Sequence, residues 1–263
     1  MTESHELFSY GAAYERMMGR WSRVAGKSFL DWIELPSGLR CLDVGCGNGA
    51  FTEELIARCA PASVVGLDPS EQQIAYARQR PGAKVAEFRV GDAQALPFAD
   101  DSYDAALMAL VVAFLSDPAR AVAEMARVVR AGGWVATYMW DIAGGGVPVH
   151  PLYDALKSIG ATPGVQPNPE ASRREALQQF WEKAGLQSIE MRVIRIPVAF
   201  SNFDDFWEST TVPVGPQGKA IAALQPGARE KLRAWLREHL PIGADGRIAY
   251  EAFANAVKGR VAA

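Results

Sequence analysis

Residues 43–49, Asp43-Val44-Gly45-Cys46-Gly47-Asn48-Gly49, set three glycines between a short apolar run at 40–44 and a helical stretch at 50–59. Glycine accepts backbone angles that other residues resist, so such a turn lets the main chain come close to a ligand. In open α/β sheets, ligands bind at the carboxyl edge of the strands, where the strand order switches. The spacing admits two kinds of ligand. Gly45-x-Gly47-x-x-Ala50 satisfies a dinucleotide fingerprint, and Asp68 lies at the right distance to hold a ribose. Asp43 argues for the other kind, because a carboxylate ahead of the first glycine suits a cationic amino-acid moiety and would repel a pyrophosphate.

Strand and helix signals alternate from Leu39 onward. Strands are expected at 40–44, 63–67, 85–90, 103–110 and 134–140, with helices at 50–59, 71–80 and 118–130 between them. Ser70 is placed to cap the second of these helices, and Gly132-Gly133 to stop the third. Regular β-α-β-α alternation implies a doubly wound, mostly parallel sheet with helices on both faces. The second half departs from that rhythm. Residues 144–168 are rich in Gly and Pro and read as a loop holding one helix, 152–159. Helices follow at 173–184, 203–208 and 229–240, a strand at 188–200, and either a strand or a helix at 248–257.

Composition removes several classes of function. A formal net charge of −3 lacks the basic footprint of nucleic-acid binding. The three cysteines, Cys41, Cys46 and Cys59, show no paired spacing, which suggests reduced thiols in a cytoplasmic protein. His5, His150 and His239 are scattered, so no metal is expected. The start has neither a basic stretch nor an apolar run, and no apolar segment reaches the roughly 18 residues of a membrane span.

Four further segments separate the two ligands. Asp68 closes the second strand; Gly91-Asp92-Ala93 follows the third, with a carboxylate where an adenine amino group would donate. Ser102-Tyr103-Asp104 opens the fourth strand, and Arg130-Ala131-Gly132-Gly133 precedes the fifth. LDVGCGNG, VVGLDPS, GDAQALPF, DDSYDAAL and RVVRAGGWV occur in an order and spacing that resemble the class I S-adenosylmethionine (SAM)-dependent methyltransferases. They are most similar to the type 11 branch, which includes ubiquinone/menaquinone-biosynthesis-like enzymes, and the likeness is close from about Tyr14 to Trp140.

The resemblance implies seven strands in the order 3-2-1-4-5-7-6, with the seventh, 248–257, antiparallel. It implies one domain, with N-terminal lid helices at 1–36, a SAM-binding core at 37–142, and helical lid insertions and the last strands at 143–263. It implies SAM as cofactor and S-adenosylhomocysteine as product. By position, Gly45 and Gly47 would approach the methionyl part through backbone, and Asp43 its cationic group. Asp68 would hold the ribose, Pro69 and Gln73 would flank the adenine, and Asp92 and Ala93 would meet its edge. Ala109 and Leu110 would offer backbone near the methionyl group, while Tyr14 and Arg20 would cover or neutralise its carboxylate.

Methyl transfer is an in-line displacement at a carbon activated by a sulfonium, so alignment and exclusion of water matter more than a catalytic triad. Relatives often carry His-His where this chain has Ala113-Phe114, and Asn-Pro-Pro-Tyr signatures are absent. Both departures favour an apolar pocket for a small-molecule acceptor over nucleic acid. His150 is the one loop residue offered as a base. Trp140 and Asp141, at the end of the fifth strand, and Phe206 and Trp207, in the later insertion, are candidates to line the acceptor pocket. Segments 144–168 and 201–246 leave from the ligand-binding edge and read as lids. A monomer or homodimer without membrane insertion is expected. A SAM-binding protein without transfer activity and a nicotinamide-dependent oxidoreductase stand as the alternatives.

Overall fold

The computed structural model describes residues 18–263. Tyr14 and the other residues of the first lid segment before Met18 lie outside the described residues. Seven strands form one sheet in the order β3-β2-β1-β4-β5-β7-β6. They are β1 (Arg40–Val44), β2 (Ser63–Asp68), β3 (Glu87–Val90), β4 (Tyr103–Ala109), β5 (Val129–Trp140), β6 (Gln187–Phe200) and β7 (Ile248–Arg260). The first five run parallel, and β7 pairs antiparallel with both β5 and β6. The strand order and the antiparallel last strand match the expected sheet.

Helices cover the sheet. They are α1 (Arg20–Ile33), α2 (Ala50–Cys59), α3 (Glu71–Ala77), α4 (Pro118–Val128), α5 (His150–Ser158), α6 (Arg174–Lys183), α7 (Phe203–Thr210), α8 (Gly215–Ala222) and α9 (Pro226–His239). In α1, Trp21, Ala25, Phe29 and Ile33 recur every four residues and are buried as one stripe. The Ser70 hydroxyl accepts from the Gln73 amide to cap α3, and Asp117 accepts from Arg120 to cap α4, with Pro118 in the first turn. Trp181 of α6 is fully buried and donates its indole N–H to the Val135 carbonyl at 3.1 Å, locking that helix onto β5.

Three elements differ from the sequence expectation. Gly132-Gly133 does not stop a helix. The fourth helix ends at Val128, and β5 begins at Val129, which pairs with Tyr103 before the register shifts to Ala105 opposite Trp134. Gly132 takes φ +71°, and a Cβ at Gly133 would lie 2.7 Å from the Asp104 carbonyl, so the pair builds a bulge inside the strand. The helix expected at 71–80 ends at Ala77, and a 3₁₀ turn at Pro81–Ala83 carries the chain into a strand shorter than expected. Helix α8 was not anticipated, because Gly-Pro-Gln-Gly reads as a loop. Pro216 occupies the first turn, where no amide is needed, and a Cβ at Gly218 would collide with the Val212 carbonyl.

Candidate methyl-transfer site

The turn after β1 is built from the main chain. Gly45, Gly47 and Gly49 have φ of +74°, +53° and +79°, all in the left-handed region. The amides of Gly45 and Cys46 both donate to the Leu67 carbonyl, at 2.7 and 3.0 Å, tying the turn to the end of β2. The Gly47 amide donates to Asp68 Oδ2 and the Ser70 amide to Asp68 Oδ1, each at 2.9 Å. Arg80 donates from Nε to the Asn48 carbonyl at 2.7 Å and pairs with Glu53 at 2.8 Å, which fixes the far side of the turn.

Behind the turn, Asp43 is fully buried. Its Oδ2 accepts from Thr52 Oγ1 at 2.6 Å, and its Oδ1 has no partner among the described residues. Desolvation pushes its carboxyl up to about 7, against the pull of the Thr52 hydrogen bond and with the help of nearby Asp68. Burial likewise raises the Cys46 thiol well above its ordinary range, which removes it as a nucleophile.

A cavity of about 560 Å³ opens at the carboxyl ends of β1, β2, β4 and β5. This is where the order switches from β1 to β4, the usual ligand crevice of such sheets. At one end it meets Gly45, Gly47, Asp68, Pro69 and Gln73. Asp92 and Ala93, after β3, and Ala109 and Leu110, at the end of β4, also line it. Leu110 holds φ +62°, and its amide donates to the Tyr138 carbonyl at 2.9 Å; a left-handed non-glycine residue at a cleft is backbone strain placed where a ligand would bind. The far end is closed by Trp140, by Val147, Val149 and Tyr153 from one insertion, and by Thr210 and Gln217 from the other. Both segments expected as lids therefore reach the same cavity.

A methyltransferase-domain family profile matches residues 42–137. Demethylmenaquinone methyltransferase of Roseiflexus sp. (strain RS-1) is 31% identical over 182 residues, covering 62% of this chain and 74% of that one. The chain belongs to the class I SAM-dependent methyltransferases. A second relative is 2-methyl-6-phytyl-1,4-hydroquinone methyltransferase 2, chloroplastic, of Oryza sativa subsp. japonica. It is 30% identical over 177 residues, 67% of this chain and 47% of that protein. The chain spans about half the length of this and other curated relatives it matches. Phosphoethanolamine N-methyltransferase 2 of Haemonchus contortus, solved with S-adenosyl-L-methionine, shares the fold at a TM-score of 0.58. It is 17% identical over 96% of this chain and 56% of that one.

Several residues expected at the methyltransferase site stand elsewhere. Arg20 does not face the cavity: its guanidinium lies 4.2 Å from the Trp21 ring and 4.6 Å from Phe200, and reaches Ser209 Oγ at 3.5 Å. Asp43 acts from behind the turn rather than at the cavity wall. Asp141 turns away to accept from the Gly144 amide at 2.7 Å. Phe206 and Trp207 are core residues, with Phe206 packed edge-on against Phe200 at 5.0 Å. His150 is not on a loop. It opens α5 with Pro151 behind it, stacks on Tyr153 and pairs with Asp154 at 3.4 Å, outside the cavity lining.

Sequence reasoning missed Tyr153, Gln166, Thr210 and Gln217 at the cavity wall. Tyr153 lies one helical turn along from His150, and Thr210 one turn along from Phe206 and Trp207, on the same helix faces. Among the described residues no cluster of three or more His, Cys, Asp or Glu is arranged to hold a metal, and no helix is long and apolar enough to cross a membrane.

Proposed function

We propose that this chain transfers a methyl group from SAM to a small-molecule acceptor. The observation that carries the reading is a single continuous cavity with two unlike ends, a glycine turn with carboxylates at one and an apolar chamber at the other. The residues of the first end fit SAM. A Cβ at Gly47 would meet nothing of the protein and would project toward the space a ligand needs, whereas at Gly45 it would strike Val111. Backbone at these glycines would bear on the methionyl part, Asp68 on the ribose, and Asp92 with Ala93 on the adenine. When bound, SAM supplies a sulfonium-activated methyl group.

The chain's own residues then align and enclose the acceptor. Met139, Trp140, Val147 and Val149 give the chamber apolar walls that keep water from the reacting atoms. Holding an acceptor in line is worth about 7–11 kcal/mol of barrier in favourable systems. Among the described lining residues there is no His or Lys, and burial raises the Tyr153 hydroxyl above its ordinary range, so the wall offers no strong base. The quinol and quinone methyltransferases among the relatives support a small-molecule acceptor.

Thermal melts test the cofactor assignment. SAM and S-adenosylhomocysteine should each raise the melting temperature and NAD should not, since a ligand at a hundredfold excess over its Kd adds about 2.7 kcal/mol. A flat response to both sulfur ligands, or a rise with NAD alone, overturns it. Mass spectrometry of a mixture of acceptors with SAM separates transfer from binding without transfer.

A further inference from the structure

The far end of the cavity carries polar atoms that the protein itself leaves unused. Gln217, in the first turn of α8, is 5% exposed, and among the described residues neither the oxygen nor the nitrogen of its side-chain amide has a hydrogen-bond partner. The Trp140 indole N–H, on a residue 3% exposed, has none either, nor does the side-chain oxygen of Gln166. The Gln166 side chain lies near the Tyr153 hydroxyl. All four residues line the one cavity.

Buried polar groups are nearly always satisfied, and each exception calls for an explanation. Here the exceptions come from three separate segments, the end of β5, the loop after α5 and the start of α8, and they converge on one chamber. The loop and α8 are in direct contact, because Gly164 packs so tightly on Pro216 that any Cβ would collide with its carbonyl. The charged residues that line the cavity, Arg23, Glu54, Asp68 and Asp92, belong to α1, α2 and the strand ends at the glycine turn. The β5, α5, α7 and α8 side contributes no charged residue to the lining.

We infer that Trp140, Gln166 and Gln217 form a charge-free hydrogen-bonding anchor, and that the acceptor is an uncharged, largely apolar molecule carrying a hydroxyl or carbonyl oxygen. The proposal rests on the methyl-transfer reading for the opposite end of the cavity. The Trp140 N–H and the Gln217 amide nitrogen donate to the acceptor's oxygen, and the Gln217 and Gln166 oxygens accept from its hydroxyl. A carboxylate or an ammonium would enter this chamber without a counter-charge, which desolvation penalises heavily. Gln217 and Trp140 are thus positioning and specificity residues, acting on where the acceptor sits.

Calorimetry with three probes on one naphthalene frame tests this: 2-naphthol, 2-naphthoate and 2-naphthylmethylammonium, each titrated with and without saturating S-adenosylhomocysteine. The neutral probe should bind the protein at least tenfold more tightly than either charged one. Gln217→Leu should weaken 2-naphthol about tenfold with the S-adenosylhomocysteine affinity unchanged. Gln217→Glu should move the preference toward the ammonium, a gain that misfolding could not produce, and Trp140→Phe should weaken 2-naphthol as well. A charged probe binding the unaltered protein as tightly as 2-naphthol, no binding of any of the three, or Gln217 variants that change nothing would each overturn the anchor. If S-adenosylhomocysteine fails to bind while the selectivity among probes persists, the anchor stands and only the cofactor reading falls.

Discussion

Val111 is packed against Gly45 so closely that a Cβ on the glycine would sit 2.5 Å from Val111 Cγ2. The turn after β1 and the segment after β4 are thereby held at a separation that only a bare main chain allows.

Gly45→Ala should therefore cost stability twice, through the collision and through the left-handed backbone at φ +74°. The backbone part alone is about 1–2 kcal/mol. Gly47→Ala carries only that part, since nothing of the protein lies within 4 Å of its Cβ. Denaturant melts should rank Gly45→Ala as the more destabilised, and Val111→Ala should recover part of its loss but none of the loss at Gly47. Equal costs at the two glycines would contradict the packing described.

Asp68 both holds the turn and faces the cavity. Asp68→Ala strips the Gly47 and Ser70 amides of their acceptor, so it should lower S-adenosylhomocysteine affinity by at least tenfold and lower the melting temperature modestly. Hydrogen bonds to a charged group are worth about 1.5–3 kcal/mol each. Calorimetry showing full affinity would reduce Asp68 to a turn-stabilising residue.

Asp43 makes the fold sensitive to pH. Its carboxyl is raised to about 7 in the folded chain and titrates near its ordinary value, about 4, when unfolded. Between those values the folded protein keeps a proton that the unfolded chain has released, so this group's contribution to stability falls as pH rises from about 4 to about 7. Asp43→Asn removes the titration and keeps the shape. The melting temperature of the variant relative to the parent should climb between pH 5 and pH 8; a constant difference would show that Asp43 does not titrate there.

Asp104 works in the opposite sense. At the edge of the sheet away from the cavity it accepts from the Arg40 amide at 2.8 Å, Arg40 Nε at 3.1 Å and Arg130 Nε at 2.6 Å, joining the starts of β1, β4 and β5. These bonds, Arg40 foremost, hold its carboxyl far below the usual range. The stabilisation is complete above about pH 4 and is lost as pH falls further. Asp104→Asn should cost about 1–3 kcal/mol at pH 7. The deficit should shrink in melts below pH 4, and a deficit independent of pH would disprove the ionic account.

His150 sits at a helix start outside the cavity, paired with Asp154. His150→Ala should leave turnover of any acceptor the parent methylates within twofold, with no change in its pH profile. A loss of a hundredfold or more would restore it as a base.

The parallel half of the sheet was legible because most of its strands carry apolar runs bounded by turn residues, and the glycine turn with Asp68 and Asp92 pointed to residues that line the cavity. What escaped was tertiary in origin. Gly132-Gly133 can end a helix or bulge a strand, and only the pairing of Val129 with Tyr103 decides between them. Phe206 and Thr210 share one helix face a turn apart, and only the packing of Phe206 on Phe200 leaves Thr210 as the one at the cavity. Gln217 fell between the helices expected at 203–208 and 229–240, and no single-residue signal reveals that its amide would be buried without a partner among the described residues. The helical start at His150 was readable, since Pro151 follows it as proline does in first turns.

The seating of β7 between β5 and β6 has a consequence for how the molecule comes into being. A ribosome delivers β5 and β6 before β7, and the two remain unjoined neighbours with open edges until residues 248–260 emerge. Synthesis at roughly 5–20 residues per second leaves those edges bare for seconds, long enough to need protection from other chains. The glycine-turn half can settle early on its parallel strands, whereas the acceptor chamber waits for the final insertion. On this order the glycine turn forms before the opposite wall of the cavity, and a nascent chain stalled short of β7 would hold the turn with that wall unsupported.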